Sequence, residues 1–147
     1  MITVRTLLRF KGYDVWSVTP QTSTLEMLLF LKKKDIGALL VLEDEKIVGI
    51  ISERDFVRSI AAMGECDLTK LVQDFMTKDV FTITPDLTIE ECMHLMTNKH
   101  IRHLPVLENE KLVGMISIGD VINAIISDQE IMITNLQNYI EGRGYIR

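Results

Sequence analysis

An internal duplication constrains the fold of this chain more than any other feature. Residues 15–60 align with residues 80–125 without a gap, at a constant offset of 65 positions, and roughly two in five aligned residues are identical. The segment GIISERD at 49–55 thus returns as GMISIGD at 114–120. Two copies of this length are too few and too long for a solenoid. The sequence therefore predicts two similar half-domains related by an approximate two-fold axis.

Each copy has the same predicted order of elements. A short alternating segment, VWSVT or VFTIT, predicts a strand that ends at a proline. Ser23 and Glu26 then have the spacing of a capping box at a helix start, and Thr88 and Glu91 repeat it. Two apolar runs around the turns EDEK and ENEK predict a hairpin, and a second helix follows. The predicted fold class is α/β, with two β-α-β-β-α repeats packed with pseudo-two-fold symmetry into one compact module.

These elements divide the chain into five segments. We expect an N-terminal lead-in helix at 1–14, the first repeat at 15–64, a connecting segment at 65–79, the second repeat at 80–128, and a C-terminal helix and tail at 129–147. The connecting segment is expected to contain a short helix. Gly64 is a predicted helix end. The segment ITNLQNYIEG is expected to extend the last helix or to add one, with Gly142 and Gly144 ending it, and the final RGYIR is expected to be disordered.

Composition and charge argue against several classes of function. The chain has 147 residues, 47% hydrophobic and 25% charged, which is ordinary for a globular protein with its own core. The net charge of -5 and the lack of a long basic run predict neither nucleic-acid nor membrane binding. Cys66 and Cys92 have no CxxC spacing, so the sequence gives little support for a zinc or redox site and fits a reducing compartment.

The N-terminal segment MITVRTLLRFKGYDVW bears on localisation. Its apolar patches are interrupted by arginine and lysine, so it is too polar for the core of a signal peptide and too short to span a bilayer. We therefore expect a cytoplasmic protein. An organellar matrix location would fit equally if a transit peptide had been removed.

The repeated S-x-x-D motif has two interpretations. In the first, Ser52 and Ser117 cap a helix and Asp55 and Asp120 complete a capping box, which stabilises the helix start by about 1 kcal/mol and binds no ligand. In the second, the N–H groups at the same helix start bind phosphate, and the carboxylate accepts hydrogen bonds from two ribose hydroxyls. The glycine that opens each motif would let a ligand or strand approach the backbone. The residues alone leave both interpretations open.

The order of these motifs resembles that of a tandem CBS-domain pair, or Bateman module. The resemblance covers nearly the whole chain and rests on the paired T-P dipeptides, the LPV strand, the G-x-x-S-x-x-D ending and the duplication itself. DFMTKDVFTITP and KHIRHLPVL are further similar to small stand-alone CBS-pair proteins of bacteria and plant organelles. The resemblance implies a protein that is not an enzyme, binds an adenosine nucleotide between its repeats, forms a homodimer and regulates a partner.

The resemblance also implies which residues contact the nucleotide. Asp55 and Asp120 would bind ribose, and Ser52 and Ser117 would contact phosphate or ribose. The remaining candidates would meet the adenine edge or line the slot: Thr19, Thr84, Ile36, Gly37, Ala38, Ile101, Arg102 and His103. The implied ligand is AMP, ADP, ATP or NAD(H). No catalytic residue, metal or further cofactor is implied.

The two copies differ in the charge they bring to these positions. The first has a small neutral pair at 37–38, whereas the second has Arg102, a bidentate phosphate donor, and the titratable His103. Near the other helix, Arg54 supplies a cation where the second copy has Gly119. We therefore predict two unequal sites, with phosphate favoured wherever these side chains reach it.

Two other functions are compatible with the residues. The pair could be a ligand-independent dimerisation or interaction scaffold, in which S-x-x-D is only a cap and nucleotides leave the melting temperature unchanged. An enzyme has less support, because no nucleophile elbow, P-loop or metal-binding spacing is present. The favoured prediction is a sensor whose homodimer changes arrangement on nucleotide binding and so regulates a partner enzyme.

Overall fold

The structure is a computed structural model that describes residues 1–142. The elements are α1 (Val4–Lys11), β1 (Ser17–Val18), α2 (Thr24–Lys34), β2 (Ala38–Glu43), β3 (Lys46–Ser52), α3 (Glu53–Met63), a short 3₁₀ helix (Val72–Asp74), α4 (Ile89–Lys99), β4 (His103–Glu108), β5 (Lys111–Ser117) and α5 (Ile118–Ile140). The α/β class is confirmed. The tail RGYIR, predicted to be disordered, lies outside the described residues.

Both predicted hairpins are present. β2 pairs antiparallel with β3, and β4 with β5, each around a two-residue turn. Asp44 and Glu45 have φ angles of 51° and 65°, and Asn109 and Glu110 have φ angles of 51° and 63°. Positive φ at both central residues defines a type I′ turn, whose twist matches that of the flanking strands. Asp and Asn tolerate the left-handed conformation, which explains their place at the first turn position.

The first strand of each repeat is realised differently. β1 pairs in parallel with β2, with Ser17 opposite Leu40, and Leu40 donates its N–H to the carbonyl of Trp16 at 3.3 Å. In the second repeat only an isolated bridge between Ile83 and Val106 forms, so the prediction of a strand at VFTIT was wrong. Pro105 stands where the first repeat has Leu40, and a proline has no N–H to donate to such a ladder.

The helices begin and end largely as predicted. The side chain of Ser23 accepts the N–H of Glu26, and the side chain of Thr88 accepts that of Glu91. α3 ends at Gly64 with a φ of 74°, the left-handed cap that glycine favours. α5 is a single helix that continues through the predicted boundary at residue 129. Within residues 1–142, no helix combines the length and the apolar composition needed to cross a membrane.

The chain divides into two compact units, each with its own core. One unit is Val15–Phe81, and the other joins Met1–Asp14 to the chain from Thr82 onward. The buried core of the first consists of Met27, Leu31, Leu39, Val41, Ile51 and Val72. The core of the second contains Val4, Leu7, Leu8, Ile83, Ile89, Cys92, Met96, Leu104, Val106, Ile116 and Val121.

Each unit consists of one repeat completed by the segment that precedes the other repeat. The N–H of Val72 donates to the carbonyl of Thr22 at 2.8 Å, and the N–H of Val4 donates to that of Leu87 at 2.8 Å. Both valines are fully buried. Arg5 adds an ion pair with Glu108 at 2.7 Å. The lead-in helix α1 is therefore a structural part of the second repeat, although it stands next to the first in sequence.

Candidate functional site

Both S-x-x-D motifs form complete capping boxes. Asp55 donates its N–H to Ser52 Oγ at 3.2 Å, and its Oδ2 accepts the N–H of Ser52 at 2.9 Å. Asp120 and Ser117 repeat these contacts at 3.2 and 2.7 Å. The capping interpretation is confirmed as a description of the helix starts. Each box engages carboxylate oxygen Oδ2, so Oδ1 of each aspartate takes no part in the cap.

The start of β4 lies beside the start of α5. His103 stands opposite Ser117 in the hairpin, and the carbonyl of Arg102 accepts the N–H of Ile118 at 2.8 Å. The first repeat has the same arrangement, with Ala38 opposite Ser52 and the carbonyl of Gly37 bound by the N–H of Glu53 at 3.1 Å. The structure thus brings the strand-start candidates and the S-x-x-D residues together within each repeat.

The helix starts offer fewer backbone donors to a phosphate than the sequence suggested. The N–H of Ile118 is bound by Arg102, and that of Asp120 by Ser117. Among the first three N–H groups of α5, these contacts leave the N–H of Gly119 for a ligand. Because the helix end is mostly satisfied, phosphate recognition at this junction depends on side-chain cations more than on the helix dipole.

The predicted threonines lie away from the aspartates of their own repeats. Thr19 follows β1, which runs parallel to β2 with Val18 opposite Val41, so it lies near the C-terminal end of β2. Ala38 begins β2, about 13 Å away at 3.3 Å per residue. Thr84 stands in the same relation to β4, just after the bridge between Ile83 and Val106. Thr19 and Asp55 therefore do not form one site within a repeat, and neither do Thr84 and Asp120.

The other candidates lie at element ends. Ile36 and Ile101 are half-buried, and each follows a left-handed residue that ends a helix, Asp35 or His100. Their N–H groups donate to the carbonyls of Leu31 at 3.2 Å and Met96 at 3.1 Å, which fixes the approach to β2 and β4. Arg54 is exposed in the first turn of α3, next to Asp55.

Each aspartate has a further partner that sequence reasoning missed. Thr77 donates its hydroxyl to Asp55 Oδ1 at 3.1 Å. Lys11 donates from Nζ to Asp120 Oδ2 at 2.5 Å and to the carbonyl of Met115 at 2.6 Å. Both partners lie in the segment that precedes the other repeat. Both lie outside the aligned copies, and the offset of 65 positions would pair Lys11 with Met76 and Gly12 with Thr77, so their corresponding roles are not visible in the sequence.

The glycine of each motif contacts a side chain from the segment that precedes the other repeat. A Cβ atom on Gly114 would lie 2.8 Å from Leu8 Cδ2, and one on Gly49 would lie 2.6 Å from Met76 Sδ. The close approach is thus made by a side chain of the protein and not by a ligand. Each G-x-x-S-x-x-D motif is thus contacted at two places, its glycine and its aspartate, by the segment that precedes the other repeat.

The pKa values of Asp120 and His103 are both lowered, but for different physical reasons. Burial opposes ionisation of Asp120, but the hydrogen bonds from Lys11 and the backbone of Ser117 outweigh it, and its pKa is lowered. Burial lowers the pKa of His103, and Lys11 and Arg102 lower it further against the opposing effect of Asp120. His103 is therefore a neutral imidazole at neutral pH. The positive charge of the second junction comes from Lys11 and Arg102.

A cavity of about 490 Å³ lies between α1 and α5. Its lining is mainly apolar and consists of Ile2, Leu7, Phe10, Lys11, Asp120, Asn123, Ala124, Ser127, Asp128 and Ile131. Its volume is within the range of small-molecule sites. The pair of Lys11 and Asp120 therefore borders a space that is large enough for part of a ligand.

The possible metal ligands and the two cysteines of the described part of the chain differ in their surroundings. Residues 1–142 contain no group of three His, Cys, Asp or Glu side chains placed to hold a metal ion. Burial, with smaller contributions from Glu91 and Glu90, raises the pKa of the Cys92 thiol to about 11. Cys92 is thus a protonated core residue, whereas Cys66 is exposed.

Comparison with known proteins gives one consistent family. The CBS-domain family model matches residues 4–62 and 72–127. The mitochondrial CBS domain-containing protein CBSX3 of Arabidopsis thaliana is 33% identical over 153 residues, which cover 97% of this chain and 73% of that protein. A solved CBS-domain-containing protein of Agrobacterium tumefaciens is 41% identical, with a TM-score of 0.80 over 83% of this chain and 98% of that chain.

One solved structure of this fold contains a nucleotide. It is CBSX2 in complex with AMP, 22% identical, with a TM-score of 0.70 over 86% of this chain and 98% of that chain. At this identity the likeness concerns the fold alone. The fold described above is accordingly that of a CBS pair.

Proposed function

Because the chain belongs to the CBS-domain family, we propose that it senses AMP, ADP, ATP or NAD(H) through two unequal sites and regulates a partner. CBS pairs are in general regulatory modules of the adenosine-binding type. The single observation that carries the proposal is the duplicated junction of strand and helix, in which an aspartate stands beside the start of a neighbouring strand. Asp55 and Asp120 are the proposed ribose ligands.

The chemistry of the junctions supports this ligand class. A carboxylate can accept hydrogen bonds from the two hydroxyls of a ribose, as an acidic residue does in dinucleotide-binding folds. Arg54 adjoins Asp55 in sequence, and the carbonyl of Arg102 binds the N–H of Ile118 at the start of the helix that carries Asp120. Both guanidinium groups are candidate phosphate donors. CBSX2, which shares the fold, binds AMP, and this supports an adenosine ligand here. We propose a regulatory role without catalysis, in the cytoplasm or an organellar matrix.

The sites are proposed to be unequal because their charges differ. The second junction has Lys11 on Asp120 and Arg102 at the adjacent start of β4, whereas in the first the neutral hydroxyl of Thr77 occupies the corresponding place on Asp55. Arg54 supplies a cation to the first junction from the helix and not from the strand. A phosphate would therefore meet cations at different places in the two repeats.

We further propose that the protein forms a homodimer through α5. Exposed apolar residues on this helix recur with heptad spacing: Ile122, Ile126, Ile133, Leu136 and Ile140, with Gln129 at the remaining position. Such a stripe of a and d positions is typical of a helix that pairs with a second helix. A second copy of the chain offers the same stripe and would cover it.

A ligand-independent scaffold is the second candidate. Both capping boxes are complete within the protein itself, which is the observation that favours it. A scaffold needs the serine and aspartate only for helix stability. Nucleotide binding distinguishes the two candidates.

Calorimetry on the full chain with adenosine, AMP, ADP, ATP, NADH and GTP tests the proposal. We expect adenosine nucleotides to bind and the double variant D55N/D120N to bind at least tenfold more weakly, because two charge-assisted hydrogen bonds are weakened. The control S23A/T88A removes two helix caps of similar worth elsewhere and should bind as the wild type does. Absence of binding at millimolar nucleotide, or equal binding by D55N/D120N, would favour the scaffold.

A further inference from the structure

We infer that Lys11 is a specificity-determining residue of the second nucleotide site, where it selects phosphorylated ligands over uncharged nucleosides. The inference rests on the proposed function and extends it to a residue of the lead-in helix. Its basis is the position of the Lys11 ammonium on the carboxylate that is proposed to bind ribose. In the first repeat the corresponding partner of the aspartate is the neutral hydroxyl of Thr77.

The position of Lys11 is fixed by the G-x-x-S-x-x-D motif itself. Leu8 is 1% exposed and fills the space above Gly114. Lys11 lies one helical turn later, on the same side of α1. Its ammonium then contacts both Asp120 and the carbonyl of Met115. A lysine side chain is usually solvated and mobile, but this one is held by residues within a single seven-residue motif.

Competition for Asp120 follows from this contact. A ribose diol that binds the carboxylate with both hydroxyls must share or displace the ammonium on Oδ2. A neutral nucleoside offers the displaced ammonium nothing, so the loss of a charge-assisted hydrogen bond opposes its binding. A nucleotide brings phosphate oxygens that can accept the same ammonium. The exchange therefore favours phosphorylated ligands.

The surroundings allow the ammonium to move. The side chain of Lys11 is 34% exposed, and it borders the cavity between α1 and α5. Its flexible four-carbon stem lets Nζ leave the carboxylate while Leu8 stays buried. Lys11 can therefore pass from Asp120 to a phosphate without displacement of the helix.

The first repeat provides an internal comparison. Thr77 occupies the corresponding place beside Asp55, and its hydroxyl carries no charge. A hydroxyl both donates and accepts, so it can adjust to a ribose without leaving a cation unpaired. Selection by a displaced cation is thus expected at Asp120 and not at Asp55.

The test is calorimetry with adenosine, AMP and ATP on full-length D55N, in which the first site is disabled. We expect the substitution K11M to reduce the preference for ATP over adenosine by about tenfold, and K11R to retain most of it. The matched control is R9M, which removes a positive charge from an exposed position of the same helix and should leave the preference unchanged. An unchanged preference in K11M would overturn the inference and leave the proposed function standing.

A measurement on the wild-type protein covers the case in which K11M does not fold. The ¹⁵Nζ resonance of Lys11 should shift on addition of ATP, because the ammonium changes its partner. A resonance that ATP leaves unchanged, although calorimetry on D55N detects ATP binding at the second site, would overturn the inference alone. Absence of nucleotide binding by the wild type would overturn the inference together with the proposed function.

Discussion

Leu8 and Gly114 are in such close contact that any side chain at position 114 would collide with the leucine. The distance from a Cβ on Gly114 to Leu8 Cδ2 would be 2.8 Å, and to Cδ1 3.0 Å. Leu8 is 1% exposed, so its side chain is packed among other residues of the core. The glycine of the repeated motif is thus required by the packing of α1.

Gly114→Ala is expected to destabilise the protein. Overpacking of a filled core typically costs about 1–3 kcal/mol, because Leu8 or the backbone of β5 must shift. Gly119→Ala is the matched control, since its Cβ would meet Ser117 Oγ at an ordinary 3.6 Å. Urea denaturation of both variants measures the difference. Equal stability of the two variants would contradict the packing role of Gly114.

The free energy of unfolding should decrease when the pH is lowered, because His103 takes up a proton more readily in the unfolded chain. Its pKa is lowered in the folded state by burial, Lys11 and Arg102, against Asp120, so the unfolded chain binds more protons below about pH 6.5. The free energy of unfolding should therefore decrease as the pH falls through 6.5. The variant H103Q should show a smaller decrease, and H94Q, at an exposed position, the full one. Parallel curves for wild type and H103Q would contradict this.

Ile133→Lys should weaken the dimer by at least tenfold, because it places a charge in the middle of the apolar stripe of α5. Ile133 is 56% exposed in the single chain. The control Ile131→Lys makes the same substitution on the opposite side of the helix and should leave the dimer intact. Sedimentation equilibrium reports both. A dimer that survives Ile133→Lys would place the interface elsewhere.

The two cysteines should differ in reactivity by at least about a hundredfold. The thiolate is the reactive species, and Cys92 combines full burial with a pKa of about 11, whereas Cys66 is exposed. Disulfide-reagent titration of C66S should show slow labelling that accelerates in urea, and C92S should react at once. Rapid labelling of C66S in the native state would mean that α4 opens readily.

The sequence predicted the local elements better than the contacts between them. Capping at Ser23 and Ser52 and the turn at Asp44 depend on a few neighbouring residues, so they can be read from the chain. The predicted strand at VFTIT does not form because a hydrogen bond to the carbonyl of Phe81 would need an N–H on the residue 24 positions later, and that residue is Pro105. The segment itself carries no sign of this.

The residues of the candidate site could likewise be predicted only where a local motif contains them. Asp55, Asp120 and their serines were identified from a repeated motif, and each lies at a strand-to-helix junction. Lys11 and Thr77 were not identified, because each reaches an aspartate of a repeat that is distant in sequence. Contacts of this kind depend on tertiary packing, which no local pattern encodes.

The exchange of segments makes the two ends of the chain interdependent. A cut near Gly12 would leave Val15–Phe81 with all the residues of its own core, but it would detach Val4, Leu7 and Leu8 from the core of the other unit. Loss of the segment that contains α1 therefore destabilises the unit that contains the second repeat. During synthesis, α1 emerges before β4 and β5 and cannot be buried against them until they have been made, so the core of the second repeat forms only after β5 has left the ribosome.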